Sequence, residues 1–442
     1  MHLSDIHFGQ EKGGRLVIHD DVRERLVDDA KEFFEARKNS GGLAEARGVL
    51  VTGDIAYAGK RKEYEKAGAW LDRLTNAIGC ETTSVQVIPG NHDIDLSRIT
   101  HATKLMLEHI AKNGDDELDN YLSNETDREL LYARLTEYRD FAEGYQCPLD
   151  GGGGHAGEKR HALAPGRDIA FVGLNSALIC RGKESEGELL LGGRQRTIEI
   201  TPGVERIVLM HHPVRWLLDR KDAQNYLTSR ARILLTGHEH RPEIVLESAE
   251  GGTLLKVEAG AVTPPEATDE FNFTYNIIDF SWAERDDALS ATIHPRVWNK
   301  QRTRFEPDFK RLRGEDSCTH VLQCPQFQQA PRPKDICDVS EGTDGCGLQT
   351  ADNTVNSATG TAEAPMEDDE LARLRLLFFR ELTRGQRLAI LAELGALPAD
   401  LPDFPNMSVE RKAFGLVHKN GQIDKLKTAL ERALKQSGKE GS

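Results

Sequence analysis

The sequence predicts an α/β domain over residues 1–324 and a small all-α domain over residues 370–442. Two observations predict the first domain: short apolar runs alternate with helical patterns, and a polar turn follows most of the runs. A third observation separates the second domain, because a stretch without hydrophobic periodicity precedes several amphipathic segments. The 442 residues are enough for two or three such units.

The predicted strands are runs rich in β-branched residues, of a length that suits strands buried on both faces of a sheet. They span residues 48–52, 84–88, 169–174, 207–210 and 233–236, and predicted helices span 20–37, 62–77 and 129–143. After His240, runs separated by Gly, Pro and Asp predict closing antiparallel strands at 243–246, 253–257, 273–280 and 291–298. A helical insertion at about 100–145 is either a lid over a site or a peripheral helix pair.

The C-terminal part begins with a predicted disordered linker at 325–369, which is rich in Pro, Gln, Gly, Thr, Asp and Ser. Helical periodicity follows at 371–382, 383–394, 409–417 and 423–434. Thr383 and Gln386 have the spacing of a capping box, which places a helix start between the first two segments.

Composition excludes several classes of protein. The chain has 57 Lys and Arg against 72 Asp and Glu, a net charge of -15, which argues against duplex binding by phosphate neutralisation alone. No apolar run is long enough to cross a membrane, and the N-terminus lacks a basic segment and an apolar core, so we expect a cytoplasmic protein without membrane contact.

Seven cysteines, an odd number in a long chain, are not typical of a disulfide framework. Four of them, with His320 nearby, invite a zinc interpretation: Cys318, Cys324, Cys337 and Cys346. Their spacing is irregular and contains no Cys-x-x-Cys pair, so the sequence disfavours zinc there.

Polar side chains at the predicted strand ends include the ligands that a dinuclear hydrolytic site needs, namely carboxylate, amide oxygen and imidazole. They occur in five ordered motifs, D-x-H, G-D, G-N-H-D, H-H and G-H-x-H. The candidate ligands are Asp5, His7, Asp54, Asn91, His211, His238 and His240. Of His211 and His212 we favour His211, with His212 behind it or facing the substrate.

This ordered set resembles the calcineurin-like metallophosphoesterases, over about residues 1–300. The resemblance implies a four-layer α/β/β/α sandwich with two divalent metal ions, Mn, Fe, Zn or Ni. Carried over, it implies that Asp54 bridges the ions, with Asp5, His7 and His240 on one and Asn91, His211 and His238 on the other. It also implies that a hydroxide activated by both ions attacks phosphorus, that His92 protonates the leaving oxygen or stabilises the phosphoryl charge, and that Asp93 orients the His92 ring.

The motifs also bear on the substrate. The Asp54 loop lacks the Asp-Arg-Gly of the Ser/Thr protein phosphatases, and the His92 loop ends in Asp where those enzymes have Glu. Segments 173–176 and 187–195 and the His-His-Pro sequence are similar to the cyclic-nucleotide phosphodiesterase-like branch. We therefore predict a phosphodiester substrate, a small nucleotide or a nucleic-acid strand.

Two alternatives remain. The C-terminal helices resemble death-like, effector-associated adaptor domains, which would make the chain a nuclease effector of a bacterial conflict system, recruited by a protein partner through residues 370–442. A simple helical cap or dimerisation module explains the same helices. The other alternative is a non-catalytic scaffold, which leaves the full set of ligands without a purpose.

One departure from the family concerns the first strand. Only Met1, His2 and Leu3 precede Ser4 and Asp5, whereas the family has a longer strand there. We expect either a start upstream of Met1 or a shortened central strand.

Overall fold

The computed structural model describes residues 1–10, 16–41, 46–149, 152–153, 155–264, 272–331, 364–398 and 406–440. It divides into two compact units, one of Met1–Ala142 with Cys147–Asp335 and one of Glu143–Gln146 with Ile336–Ser442. Most of the predicted linker, including Cys337 and Cys346, lies outside the described residues. None of the described helices has the length and hydrophobicity to cross a bilayer.

Strands and helices alternate in the first unit. Its strands are β1 His2–Leu3, β2 Val49–Thr52, β3 Val85–Ile88, β4 His155–Ala164, β5 Arg167–Leu174, β6 Val204–Met210, β7 Ala231–Thr236, β8 Glu243–Ala249, β9 Gly252–Glu258, β10 Thr274–Ala283, β11 Ala288–Asn299, β12 Arg304–Pro307 and β13 Cys318–Gln323. Its helices are α1 Leu16–Asn39, α2 Arg61–Ala77, α3 His101–Asn113, α4 Asp115–Ser123, α5 Glu125–Tyr132, α6 Thr136–Gly144, α7 Gly193–Arg196, α8 Arg220–Arg230 and α9 Pro325–Gln328.

The strands form two sheets. The first has the order β12-β11-β10-β1-β2-β3, with β13 paired to β11, and the second has the order β4-β5-β6-β7-β9-β8. β1, β2 and β3 are parallel, as are β5, β6, β7 and β9. Although β1 has two residues, it lies centrally: His2 is paired with Leu50 of β2 and Asn276 of β10.

Alternate residues of β10 show how the layers stack, because successive side chains of a strand point to opposite faces. Tyr275 donates a hydrogen bond to Asp29 of α1 at 2.5 Å, so this face packs on a helix. Phe280, on the opposite face, packs edge to face with Phe171 of the second sheet at 5.6 Å between ring centroids. Helix α8 covers the second sheet, where Lys256 of β9 donates to Gln224. The predicted four-layer sandwich is confirmed.

The end of the first unit differs from the sequence prediction. The linker was expected to begin at residue 325, but residues 325–331 pack on the first unit. Phe327 is fully buried, and Arg167 donates hydrogen bonds to the carbonyl oxygens of Ala330 and Pro331. Contacts between residues this distant in the sequence, such as Arg167 and Pro331, produce no hydrophobic periodicity, so the sequence alone does not indicate them.

The described part of the second unit is helical, as predicted. Its helices are α10 Ala364–Glu381, α11 Arg384–Glu393, α12 Met407–Lys419 and α13 Ile423–Glu440. They share a core that includes Phe378, Phe379, Leu391 and Phe414. The predicted capping box is present at the start of α11, where Gln386 N–H donates to Thr383 Oγ1 and Thr383 N–H donates to Gln386 Oε1.

Candidate metal centre

The candidate ligands follow the carboxyl ends of parallel strands in both sheets. Asp5 and His7 follow β1, Asp54 follows β2 and Asn91 follows β3 in the first sheet; His211 follows β6, and His238 and His240 follow β7 in the second. The two sheets face each other, so all seven side chains meet at one edge of the sandwich, the place where ligands collect in such sheets.

The backbone at this edge is strained. Five of the seven candidate ligands have a positive φ angle, which residues other than glycine rarely adopt. They are Asp5 at 54°, His7 at 50°, Asp54 at 53°, His238 at 71° and His240 at 55°. Hydrogen bonds hold these turns, among them Asp5 N–H to the carbonyl of Gly53 and Thr263 N–H to the carbonyl of Asp5. Such strain persists only where surrounding structure imposes it, and it concentrates at functional sites.

The first group of ligand atoms comes from Asp5, His7 and His240. His240 Nε2 lies 3.1 Å from Asp5 Oδ1, and His7 Nε2 lies 3.9 Å from the same oxygen. The ligand atoms of these three residues lie within 4.8 Å of one another. This spacing suits one shared cation.

The second group surrounds Asn91. Its Oδ1 atom lies 3.2 Å from His211 Nε2, 3.2 Å from His212 Nε2 and 3.1 Å from His238 Nδ1. Three imidazole nitrogens around one amide oxygen form a second borderline-soft donor set, which transition metals accept.

Asp54 lies between the two groups. Its Oδ2 atom is 3.2 Å from His7 Nε2 and 3.4 Å from His211 Nε2, while its Oδ1 atom accepts a hydrogen bond from His92 N–H at 2.8 Å. The carboxylate therefore faces both donor groups, as a residue shared by two ions must.

His211 and His212 differ in their other contacts. His211 Nδ1 lies 2.7 Å from the carbonyl oxygen of Thr52, which orients Nε2 toward Asp54. His212 Nδ1 lies 2.9 Å from Ser176 Oγ and its Nε2 contacts Asn91, so its ring lies at the border of the second group. The contact with Asp54 favours His211 as the ligand.

His92 and Asp93 behave differently from each other. The His92 ring belongs to a donor group with His7 and Asp54, and its Nδ1 donates to the carbonyl oxygen of Tyr57 at 2.8 Å. Asp93 was expected to orient that ring, and this is wrong: its carboxylate accepts hydrogen bonds from Ile55, Ala56 and Gly90 N–H and from Tyr64 Oη–H. Consecutive side chains leave the loop in different directions, so Asp93 ties the two metal loops together instead.

Burial brings opposite charges close together in the centre. Burial raises the pKa of Asp54, but the nearby His211 lowers it by more, so the net shift is downward. Asp5 behaves in the same way, with His240 as its partner. Both carboxylates therefore stay charged. Burial lowers the pKa of His211, yet Asp54 raises it to about 9. Burial together with His211 lowers the pKa of His238 to about 4. Without a cation, the negative charge of Asp54 is balanced by a proton on His211.

Cation binding at this centre should release protons. Only a neutral imidazole is a metal ligand, so His211, with a pKa of about 9, must lose its proton at pH 8 when a cation binds. Calorimetric titration of metal-stripped protein with Mn²⁺ in two buffers of different ionisation enthalpy should show release of about one proton per chain, and weaker binding as pH falls. Heats that are the same in both buffers would contradict this.

Position 90 has no room for any side chain, so it requires glycine. A Cβ atom there would lie 2.1 Å from Asp54 Oδ1 and 2.6 Å from the backbone nitrogen of Asp54. Gly90→Ala should therefore displace Asp54 and cost about 1–3 kcal/mol of folding free energy. We expect a lower melting temperature and fewer bound cations, measured by thermal unfolding and mass spectrometry of bound metal.

Gly385→Ala is the matched control for this substitution. Gly385 lies in helix α11, and a Cβ atom there meets nothing within 4 Å. This change should leave metal content unchanged and raise stability slightly, because alanine is the better helix former. Equal metal content in the two variants would contradict the role given to Gly90.

Arg23 contributes to the centre and was missed in the sequence analysis. It is fully buried in α1 and donates to the carbonyl oxygen of Ile6 at 3.2 Å, with its guanidinium over the Phe8 ring at 4.2 Å. It thereby supports the loop that carries Asp5 and His7. Leu26 and Ala30 follow it by three and seven residues and are buried on the same helix face, so this spacing was the available signal.

Comparisons with known proteins agree with this geometry. Residues 1–242 match the family model "Calcineurin-like phosphoesterase", and residues 370–432 match the "GTPase-associated adaptor domain". The chain is 24% identical over 286 residues to the uncharacterized metallophosphoesterase-like protein YydB of Bacillus subtilis, covering 61% of this chain and 55% of the relative. The chain thus spans about half the length of that relative.

Among solved structures, the chain is matched to a Vps29 mutant from Entamoeba histolytica, at 11% identity and a TM-score of 0.29, covering 73% of this chain and 97% of that one. The NAD nucleotidase of Haemophilus influenzae matches at 12% identity and a TM-score of 0.28, covering 73% and 49%. The family model covers residues 1–242 of the 442, more than half, which confirms the resemblance seen in the motifs. The chain belongs to the calcineurin-like phosphoesterase family.

Proposed function

We propose that this protein is a phosphodiesterase that uses two divalent cations to hydrolyse phosphodiester bonds of nucleotides or nucleic acids. The observation that carries the proposal is the position of Asp54, whose carboxylate lies within 3.2 Å of His7 Nε2 and 3.4 Å of His211 Nε2. A dinuclear centre needs such a shared carboxylate between two donor groups.

The donor set fits two cations. Asp5, His7, Asp54 and His240 would hold one, and Asp54, Asn91, His211 and His238 would hold the other. Mixed carboxylate, amide and imidazole ligands suit Mn, Fe or Zn. When bound, the cations supply charge neutralisation of the phosphate and lower the pKa of a bound water.

His92 is the residue that moves a proton. A carbonyl oxygen only accepts, so the contact with Tyr57 fixes the hydrogen of His92 on Nδ1. The ring groups with His7 and Asp54, and in its imidazolium form it would give its Nε2 proton to the leaving oxygen and return to the neutral form with hydrogen on Nδ1. Asp93 keeps the loop in place by bonding Gly90 and Ala56 N–H.

A comparison of diester and monoester hydrolysis tests the proposed reaction. We expect metal-stripped protein reloaded with Mn²⁺ to hydrolyse bis-p-nitrophenyl phosphate faster than p-nitrophenyl phosphate. Faster monoester turnover would point to a phosphatase, and turnover that does not depend on metal would sink the proposal.

The helical unit supports a second proposal, that residues 370–442 bind a protein partner. The match of residues 370–432 to an adaptor domain favours this over a simple cap. Removal of residues 370–442 should abolish co-purification of a partner from native cells and leave diester hydrolysis intact. Loss of hydrolysis on truncation would count against an adaptor role.

A further inference from the structure

Two half-buried aromatic rings stand beside the candidate metal centre. Tyr57 stacks on His92, with ring centroids 5.0 Å apart and an angle of 22° between the planes, and meets His7 edge to face at 6.1 Å. Its ring is neither buried nor fully exposed. Tyr57 therefore forms an aromatic wall on the side of the centre where His92 lies.

Trp216 forms the second wall. Its ring meets His238 edge to face at 4.3 Å and lies 6.0 Å from His212. Trp216 Nε1–H donates to Glu239 at 2.5 Å, and Arg215 pairs with the same carboxylate at 2.7 Å. Trp216 is half-buried and its indole N–H already has a partner, so a ligand would contact this residue through its ring rather than through a hydrogen bond.

The two walls belong to different halves of the centre. Among the ring contacts of the described residues, Tyr57 meets His7 and His92, whereas Trp216 meets His212 and His238. His7 is in the first donor group and His238 in the second, with Asp54 between them. Each of the two donor groups that flank Asp54 thus has an aromatic ring beside it.

This arrangement distinguishes between phosphodiesters. A linear dinucleotide has a base on each side of its phosphate, while a cyclic nucleotide has one base and a monoester has one substituent. Bases paired in a duplex are stacked on each other and cannot offer their faces to protein rings. Unpaired bases stack on aromatic side chains, and each such contact strengthens binding by roughly 5- to 150-fold.

We infer that Tyr57 and Trp216 bind the two bases that flank the scissile phosphate, so that the preferred substrate is a linear, unpaired dinucleotide unit. This inference rests on the proposed diesterase function. It makes both rings specificity-determining residues, and it ranks a linear dinucleotide above the cyclic nucleotides that the family branch suggests.

Binding tests the inference without relying on turnover. Metal-loaded full-length protein is titrated calorimetrically with phosphorothioate-linked dithymidine, which resists hydrolysis, and with the matching phosphorothioate of thymidine 3′,5′-cyclic monophosphate. We expect the dinucleotide to bind about ten-fold more tightly than the cyclic nucleotide. Trp216→Leu and Tyr57→Leu should each weaken dinucleotide binding by about ten-fold, while Trp216→Phe and Tyr57→Phe keep most of the affinity.

Two matched controls share the chemistry of these residues but lie outside the centre. Trp282 on β10 is half-buried and donates its Nε1–H to Asp287 at 2.9 Å, and Tyr226 on α8 is 37% exposed. Trp282→Leu and Tyr226→Leu should bind the dinucleotide as the wild type does. Metal content is measured in every variant, so that a loss of cations is not mistaken for a loss of stacking.

The outcomes separate the inference from the proposed function. Equal affinity for the linear and cyclic ligands, or full affinity in both leucine variants, would overturn the inference. Dinucleotide binding that depends on both rings, without hydrolysis of unmodified dithymidine phosphate, would overturn the proposed function and leave only the base contacts of Tyr57 and Trp216 standing. Tighter binding of a longer oligothymidylate than of dithymidine, weakening with salt, would identify a single strand as the source of the dinucleotide unit.

Discussion

Asp54→Ala should abolish metal-dependent hydrolysis, with a fall in kcat/KM of at least about 1000-fold. Metal-ion catalysis contributes several kcal/mol of transition-state stabilisation, and each 1.36 kcal/mol corresponds to a factor of ten. Asp54 contacts both donor groups, so its removal should lower the occupancy of both cation sites rather than of one. Steady-state kinetics with bis-p-nitrophenyl phosphate and mass spectrometry of bound metal measure the two effects together.

Asp168→Ala is the matched control. Asp168 is a half-buried carboxylate at the amino end of β5, whereas the ligands gather at the carboxyl ends of the strands. This variant should keep both cations and its activity. If Asp54→Ala retained two cations, the bridging role given to this carboxylate would be wrong.

His92→Ala should separate catalysis from metal binding. Loss of a general acid costs about 100- to 10000-fold in rate, and His92 is not among the proposed ligands, so metal content should stay near that of the wild type. The loss should be larger for a dinucleotide than for bis-p-nitrophenyl phosphate, because p-nitrophenolate leaves with little help from an acid. The ratio of the two rate losses is the measurement.

Equal losses on both substrates would contradict the role of His92 as proton donor and indicate that it stabilises phosphoryl charge instead. Loss of metal from the variant would move His92 into the ligand set, a position open to it since its ring already groups with His7 and Asp54.

The structure brings the candidate ligand side chains together, and there is a physical reason why the sequence could indicate this. Turns after neighbouring parallel strands lie at one edge of a sheet, so polar residues such as His211 and His238, which follow β6 and β7, could be placed near each other from strand prediction alone. The sequence could not reveal the direction of each side chain. Asp93 follows His92 directly, yet it bonds Gly90 and Ala56 N–H, because the loop turns between the two residues.

Some of the fold was also hidden. β4, His155–Ala164, lies at the edge of its sheet and has mostly half-exposed or exposed side chains with few β-branched residues, so it lacked the signal of a buried strand. β13, Cys318–Gln323, pairs with β11 along its length, a contact that depends on tertiary structure rather than on local propensity. Trp216 and Tyr57 had no motif of their own, and only their ring contacts with His238 and His92 single them out.

The most direct test of the dinuclear diesterase is a titration of activity against metal. Metal-stripped protein receives Mn²⁺ in steps, and hydrolysis of bis-p-nitrophenyl phosphate is measured at each ratio of cation to chain. We expect no turnover without metal and a rate that reaches its maximum at two equivalents, because both donor groups must be filled. Full activity at one equivalent, or turnover by the stripped protein, would contradict a dinuclear centre built around Asp54.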